Sequence, residues 1–123
     1  MFSPLHGAMD DKSWEIYRKG AIMSKIPEGK RRQFITESSY LLDAMANSAR
    51  LQILTQLSSS EVSVGILSRM VGLSQSALSQ HLSKLRNAGL VATRREAQTV
   101  YYRSDSAAVL KTLNLLRELF DEK

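Results

Sequence analysis

GLSQSALSQHLSKLRNAGLVATRREAQTVYYR, residues 72 to 103, holds a helix start, a helix stop and a hairpin in succession. Ser74 is a good N-cap, because a serine hydroxyl accepts a hydrogen bond from an otherwise unpaired amide of the first turn. Gly89 is a good stop, since glycine readily takes the left-handed conformation that closes helices. Between them, Leu78, Leu82 and Leu85 recur at i, i+4 and i+7, an apolar stripe that has to be buried. The opposite side carries Ser76, Ser79, Gln80, Ser83 and Asn87, with Gln75 and Lys84 on its flanks. A solvated helix face usually mixes Glu with Lys, but this one has no acid and no large apolar group. Short hydroxyls and amides suit contact with base edges, where Gln bonds adenine in two places and Ser reaches several bases. After Gly89 the period falls to two: Val91, Thr93 and Arg95 alternate with Ala92 and Arg94. Glu96-Ala97-Gln98 is the expected turn, and Thr99 to Arg103 returns as a β-branched and aromatic strand. The reading is a winged helix whose polar-faced helix enters DNA.

Composition sets limits around that stretch. The 123 residues make one domain, small enough to gain from a dimer interface. No apolar run approaches the roughly 18 residues of a membrane span, and the first residues show no apolar block followed by a small-residue cleavage site, so secretion is not expected. The absence of cysteine removes disulfides, thiolate metal sites and thiol nucleophiles together, so cytoplasm is the expected location. The net charge of +5 is unevenly spread. Residues 81–104 have five Lys or Arg and one acid, so positive charge gathers at the end of the polar-faced helix and the hairpin. That placement suits phosphate contact and steering toward a polyanion.

Upstream, residues 1–30 are expected to form an N-terminal extension, and residues 31–123 the DNA-binding and dimerisation domain. The extension holds both prolines and the single tryptophan, with a short helix expected from Asp10 to Lys19 and alternative starts at Met9 and Met23. Lys30, Arg31 and Arg32 are placed to reach the DNA backbone, or the apolar residues of the extension a dimer partner. A helix is expected from Arg32 to Ala46, with Phe34, Ser38, Leu41, Leu42 and Met45 on one side. Asn47-Ser48 breaks and caps, and Ala49 to Leu57 follows as a second helix. Ser63 caps a short third helix to Met70, with Ile66, Leu67, Met70 and Val71 expected to face inward. Gly72-Leu73-Ser74 then turns into the polar-faced helix, completing a helix-turn-helix. Ser104-Asp105-Ser106 caps a last helix, Ala107 to Asp121. Its stripe of Val109, Leu113, Leu116 and Phe120, widened by Leu110, Leu115 and Leu119, is either core or a surface shared with a second copy. Two linked half-sites favour the dimer.

ANSARLQIL, VSVGILSRMVGLSQSALSQHLSKLRNAGLV and TRREAQTVYYRS together resemble the ArsR/SmtB family of bacterial winged-helix repressors, and within it the nodulation-gene repressor branch. The resemblance covers about residues 34–120. It implies a homodimer of some five helices and a β-wing, joined through the first and last core helices and bound to an inverted repeat in promoters. Many members sense metals through a thiolate pair in a segment of the form ELCVCDL. The matching residues here run from Glu61 to Leu67, with Ser63 and Gly65 at the thiol positions. Serine is a poor ligand for soft metals and glycine has no side chain. The other common site uses His and acids on the last helix, which here has no histidine. Neither a metal nor another cofactor is expected.

Of the two histidines, His6 lies in the extension and His81 on the flank of the polar-faced helix. His81 is either packed at the core edge, bonding backbone or phosphate, or a pH-responsive group beside a phosphate. Nothing completes a nucleophile-and-base set with it, so no catalytic residue is expected and an enzyme is the weakest reading. The candidate DNA contacts are Ser74, Gln75, Ser76, Ser79, Gln80, His81, Ser83, Lys84, Arg94, Arg95 and Gln98. The candidate dimer contacts are Phe34, Leu41, Leu42, Val109, Leu113, Leu116 and Phe120. The competing class is a winged helix that docks proteins rather than DNA; such modules tend to fill the reading face with acids or apolar groups, and this face has neither. Any small-molecule effector, the operator and the target genes lie beyond the residues.

Overall fold

The computed structural model describes residues 10, 12, 15 and 21–121. The expected helix from Asp10 to Lys19 falls almost wholly outside the described residues. A single helical turn, Ala21–Ser24, and a 3-10 turn, Glu28–Lys30, lead into five helices: α1 (Arg31–Met45), α2 (Ser48–Ser59), α3 (Val64–Val71), α4 (Gln75–Asn87) and α5 (Ala107–Phe120). Three short strands accompany them: β1 (Val62–Ser63), β2 (Ala92–Glu96) and β3 (Thr99–Arg103). Among the described residues no helix is long and apolar enough to cross a membrane.

Side-chain caps define the helix starts. Asn47 accepts the Arg50 amide, Ser63 the Ile66 amide, Ser74 the Ala77 amide and Ser106 the Val109 amide. Each satisfies one of the amides that a first turn leaves unpaired. Two helices end in glycines with positive φ, Gly72 at 69° after α3 and Gly89 at 74° after α4. Past α4 the Leu90 amide bonds back to the Leu85 carbonyl at 2.9 Å, the six-to-one bond of a Schellman closure.

The core sits where α2, α3 and α4 meet, around Ile53, Leu54, Leu57, Leu67, Leu78, Leu82 and Leu85, all buried. Burying leucines of this kind stabilises by about 1.5–3 kcal/mol each, which fixes the polar side of α4 outward. Within eight-residue α3 only Leu67 is buried. Ile66 and Met70, expected inward, are instead exposed, since they lie on the stripe beside Leu67 that no element among the described residues covers.

The sheet is antiparallel in the order β1-β3-β2. β1 was not expected: two residues carry no periodic signal, and pairing with Tyr101 and Tyr102 makes them a strand. Glu96 pairs with Thr99, so the wing turn is only Ala97-Gln98 and Glu96 belongs to β2. Ala97 takes φ 56°, a conformation unfavourable to any residue with a Cβ. Where β3 leaves the sheet, the Ser104 hydroxyl donates to the Leu90 carbonyl at 2.7 Å and its amide to the Leu57 carbonyl at 3.1 Å.

The last helix corrects one expectation. Val109 is wholly buried in the chain's own core and has no surface to offer a second copy. Leu41, Leu113 and Leu116 are half-buried, whereas Phe34, Leu42 and Phe120 are exposed. The apolar surface left open is displaced to the residues that widen the stripe: Leu110, Leu115 and Leu119 on α5, with Ile35 beside Phe34 and Leu42 on α1.

Candidate nucleic-acid interface

The caps and leucines of α4 orient its remaining side chains. Because Leu78, Leu82 and Leu85 point inward, the 100° step places Ser76, Gln80, Ser83 and Asn87 outermost. Gln75 and Ser79 turn to one flank, and Ala77, His81 and Lys84 to the other. The first flank faces the wing across an open groove of about 560 Å³, lined by Gln75 and Ser79, by Gln98, Thr99, Val100 and Tyr102, and by Ser63 to Gly65. Ser74 spends its hydroxyl on the Ala77 amide at 3.1 Å, so its role in the structure is to start the helix. The polar outward face of α4 thus borders a groove whose far wall includes Gln98 of the wing turn.

Strand alternation separates the two wing arginines. Paired residues share a face of a sheet and successive residues alternate. Arg94 pairs with Tyr101 and Arg95 with Val100, so their side chains leave opposite faces. Arg94 lies with its guanidinium carbon 4.4 Å from the Tyr101 ring centroid, a cation–π geometry. It also bonds Glu61 Oε1 from Nε and Glu96 Oε2 from Nη1, each at 2.8 Å. Those two hydrogen bonds, Glu96 first and Glu61 second, push its pKa above the ordinary arginine value, so its charge is held by carboxylates. Arg103 is engaged similarly, with Asp105 at 2.7 Å and Glu61 at 3.9 Å. Arg95 shares its face with Val100 and Tyr102 on the groove side, is exposed, and has no ion-pair partner among the described residues.

The other flank of α4 meets α1 and α2. Arg50 donates from Nε to the Ala44 carbonyl at 2.6 Å, with Nη2 3.4 Å from the Asp43 carbonyl and Nη1 3.3 Å from His81 Nδ1. A guanidinium only donates, so Nδ1 is the accepting nitrogen of His81. His81 is half-buried and serves as a bridge to Arg50. Lys84 forms an ion pair with Asp43 at 3.2 Å. Tyr40 donates to the Asn87 carbonyl at 3.4 Å. Asp43, Arg50 and Glu61 are the residues that sequence reasoning missed. Their partners lie across helix and strand boundaries, and no local pattern marks them.

At the two positions where the resemblance implies thiols, Ser63 and Gly65 belong to the start of α3. The Ser63 hydroxyl faces the Ile66 amide as the cap of α3, and Gly65 contributes no donor atom. Among the described residues no three His, Cys, Asp or Glu gather where they could hold an ion.

The sequence pattern of the bacterial regulatory protein arsR family matches residues 47–93. The transcriptional activator HlyU of Vibrio cholerae is 50% identical over 104 residues, covering 85% of this chain and 94% of its own. The crystal structure of NolR from Sinorhizobium fredii superposes with a TM-score of 0.72 at 49% identity, covering 80% of this chain and 97% of that one. A homodimeric winged helix-turn-helix DNA-binding domain from Mycobacterium bovis, solved by NMR, matches with a TM-score of 0.68 at 29% identity, over 78% of this chain and 89% of that one.

Proposed function

Because this chain belongs to the arsR family of bacterial regulatory proteins and is a DNA-binding transcriptional regulator, we propose that it works as a homodimeric, sequence-specific repressor. It occupies an inverted-repeat operator and so blocks the promoter. The observation that carries the sequence-specific part is the outward face of α4: Ser76, Gln80 and Ser83 are exposed, acid-free and backed by a fully buried leucine stripe. In this reading α4 lies in the major groove, with Gln75 and Gln80 discriminating bases at about 1–3 kcal/mol per good bidentate contact. Ser74 presents the helix N-terminus to a phosphate. Ser79 and Gln98 approach from the wing-side groove, Arg95 holds phosphate or the minor groove, and Lys84 holds phosphate on the opposite flank. Arg94 buttresses the wing, a role its two carboxylates and Tyr101 support better than DNA contact.

The homodimer reading is supported by the apolar residues that α1 and α5 leave open and by the homodimeric relative from Mycobacterium bovis. Residues 31–123 carry both tasks, with 1–30 as an extension. The protein acts in the cytoplasm, where promoters are. The cap role of Ser63 and the bare Gly65 support control without metal. Activation is the second reading, favoured by the activator HlyU at 50% identity.

Two assays test the proposal. Transcription in vitro from a promoter overlapping the bound site should fall as protein is added; a rise establishes the activator. Gln75→Ala should bind matched and mismatched duplexes with more nearly equal affinity. An equal loss on both removes Gln75 from base reading.

A further inference from the structure

Asp43 stands in the last turn of α1, four residues after Ser39 and two before the helix ends at Met45. A carboxylate there faces the negative end of the helix dipole and costs stability. No basic residue of the same turn offsets it. The Asp43 carboxylate instead pairs with an ammonium on another element: Lys84 on the flank of α4, with Nζ 3.2 Å from Asp43 Oδ2. The pair is open to solvent, the side chains being 46% and 72% exposed, so it holds Lys84 weakly and exchangeably. Arg50 touches Asp43 only through the backbone carbonyl and leaves the carboxylate to Lys84.

We propose that Asp43 is an affinity-setting residue: it competes with DNA phosphate for Lys84 and so lowers the affinity for DNA of every sequence. The inference rests on reading the Lys84 flank of α4 as a phosphate-facing one. In the free protein Lys84 is already paired. On binding, it exchanges Asp43 for a phosphate, and the released carboxylate gathers a counterion of its own. The net counterion release from this contact is therefore near zero. Removing the carboxylate restores the full contact. The device restrains sequence-independent retention on bulk DNA without altering the reading face.

The test is Asp43→Asn, which keeps the shape of the side chain and the backbone carbonyl that Arg50 uses. Fluorescence anisotropy would follow two duplexes of equal length across a salt series, one selected from a random pool and one scrambled. The variant should bind both duplexes tighter by the same factor, about two- to fivefold per protomer, the fold-change equivalent of an exposed pair. The slope of log affinity against log salt should steepen by up to ~0.9 per protomer. A purely structural role would leave that slope unmoved. In a Lys84→Ala background Asp43→Asn should do little, and Glu37→Gln, an acid on α1 bonded to Gln33 rather than to a base, should do little in either background. Wild-type binding with an unchanged Asp43→Asn variant overturns the proposal and leaves the DNA-reading function standing. A gain that persists without Lys84 also overturns it, in favour of general charge repulsion. Absence of wild-type binding to either duplex overturns both.

Discussion

Two adjacent arginines at the wing should behave oppositely when each is replaced by alanine. Arg95 leaves the groove side of the hairpin and has no ion-pair partner among the described residues, so its removal should not disturb the fold. As an exposed surface change it should stay within about 0.5 kcal/mol of wild type in urea denaturation. Its loss should instead appear in DNA binding. Each phosphate contact contributes ~0.9 to the salt exponent, so a dimer that loses two should show a slope shallower by ~1.8. Counted from a 1 M reference, that exponent corresponds to roughly 60-fold weaker binding at 0.1 M salt, on matched and scrambled duplexes alike. Arg94→Ala should give the reverse pattern. It removes the bonds to Glu61 and Glu96 and the stack on Tyr101, so the urea midpoint should fall while the salt slope stays near wild type. Anisotropy titrations at four salt concentrations, run beside denaturation of the same samples, separate the two. A shallower slope for Arg94→Ala with an unchanged one for Arg95→Ala would refute the face assignment.

Three further changes probe the cap, the dimer and the turn. Ser74→Ala removes the bond to the Ala77 amide and should cost about 1 kcal/mol in urea denaturation; a cost under about 0.3 kcal/mol would show that the cap is dispensable. Leu115→Glu together with Leu119→Glu places charge on the open face of α5 and should convert the protein to monomers in sedimentation velocity, while a persisting dimer would move the interface elsewhere. Ala97→Gly relieves an L-residue at φ 56°, worth about 1–2 kcal/mol, against about 0.5–1 kcal/mol of added backbone freedom. The net should raise the melting temperature by about 2 °C, and a lower one would contradict the strain.

Local chemistry made much of this fold legible. Asn47, Ser63, Ser74 and Ser106 cap the helices they precede in sequence, because a cap is decided within three residues. Leu78, Leu82 and Leu85 are buried as their spacing required. Where a decision depended on a distant segment, the pattern was insufficient. Val109 and Leu115 both belong to an apolar stripe on α5, yet one is sealed in the core and the other open, because the stripe is wider than the surface it packs on. The same holds for Ile66 and Met70 beside Leu67. β1 exists only through Tyr101 and Tyr102, about forty residues away. The division of labour between Arg94 and Arg95 follows from a register that no run of five residues reveals. Lys84 reads as a free cation until the fold brings Asp43 to it.

Selection from a random duplex pool, followed by titration of the winner against a scrambled duplex, tests the central claim most directly. A dimer carrying two copies of α4 should enrich a two-fold-symmetric site with half-sites roughly one helical turn apart. It should bind that site ~10³-fold or more tighter than scrambled DNA at physiological salt. A pool that yields no motif, with weak binding that disappears as salt rises, would contradict sequence reading by α4 and leave only an electrostatic attraction to the polyanion.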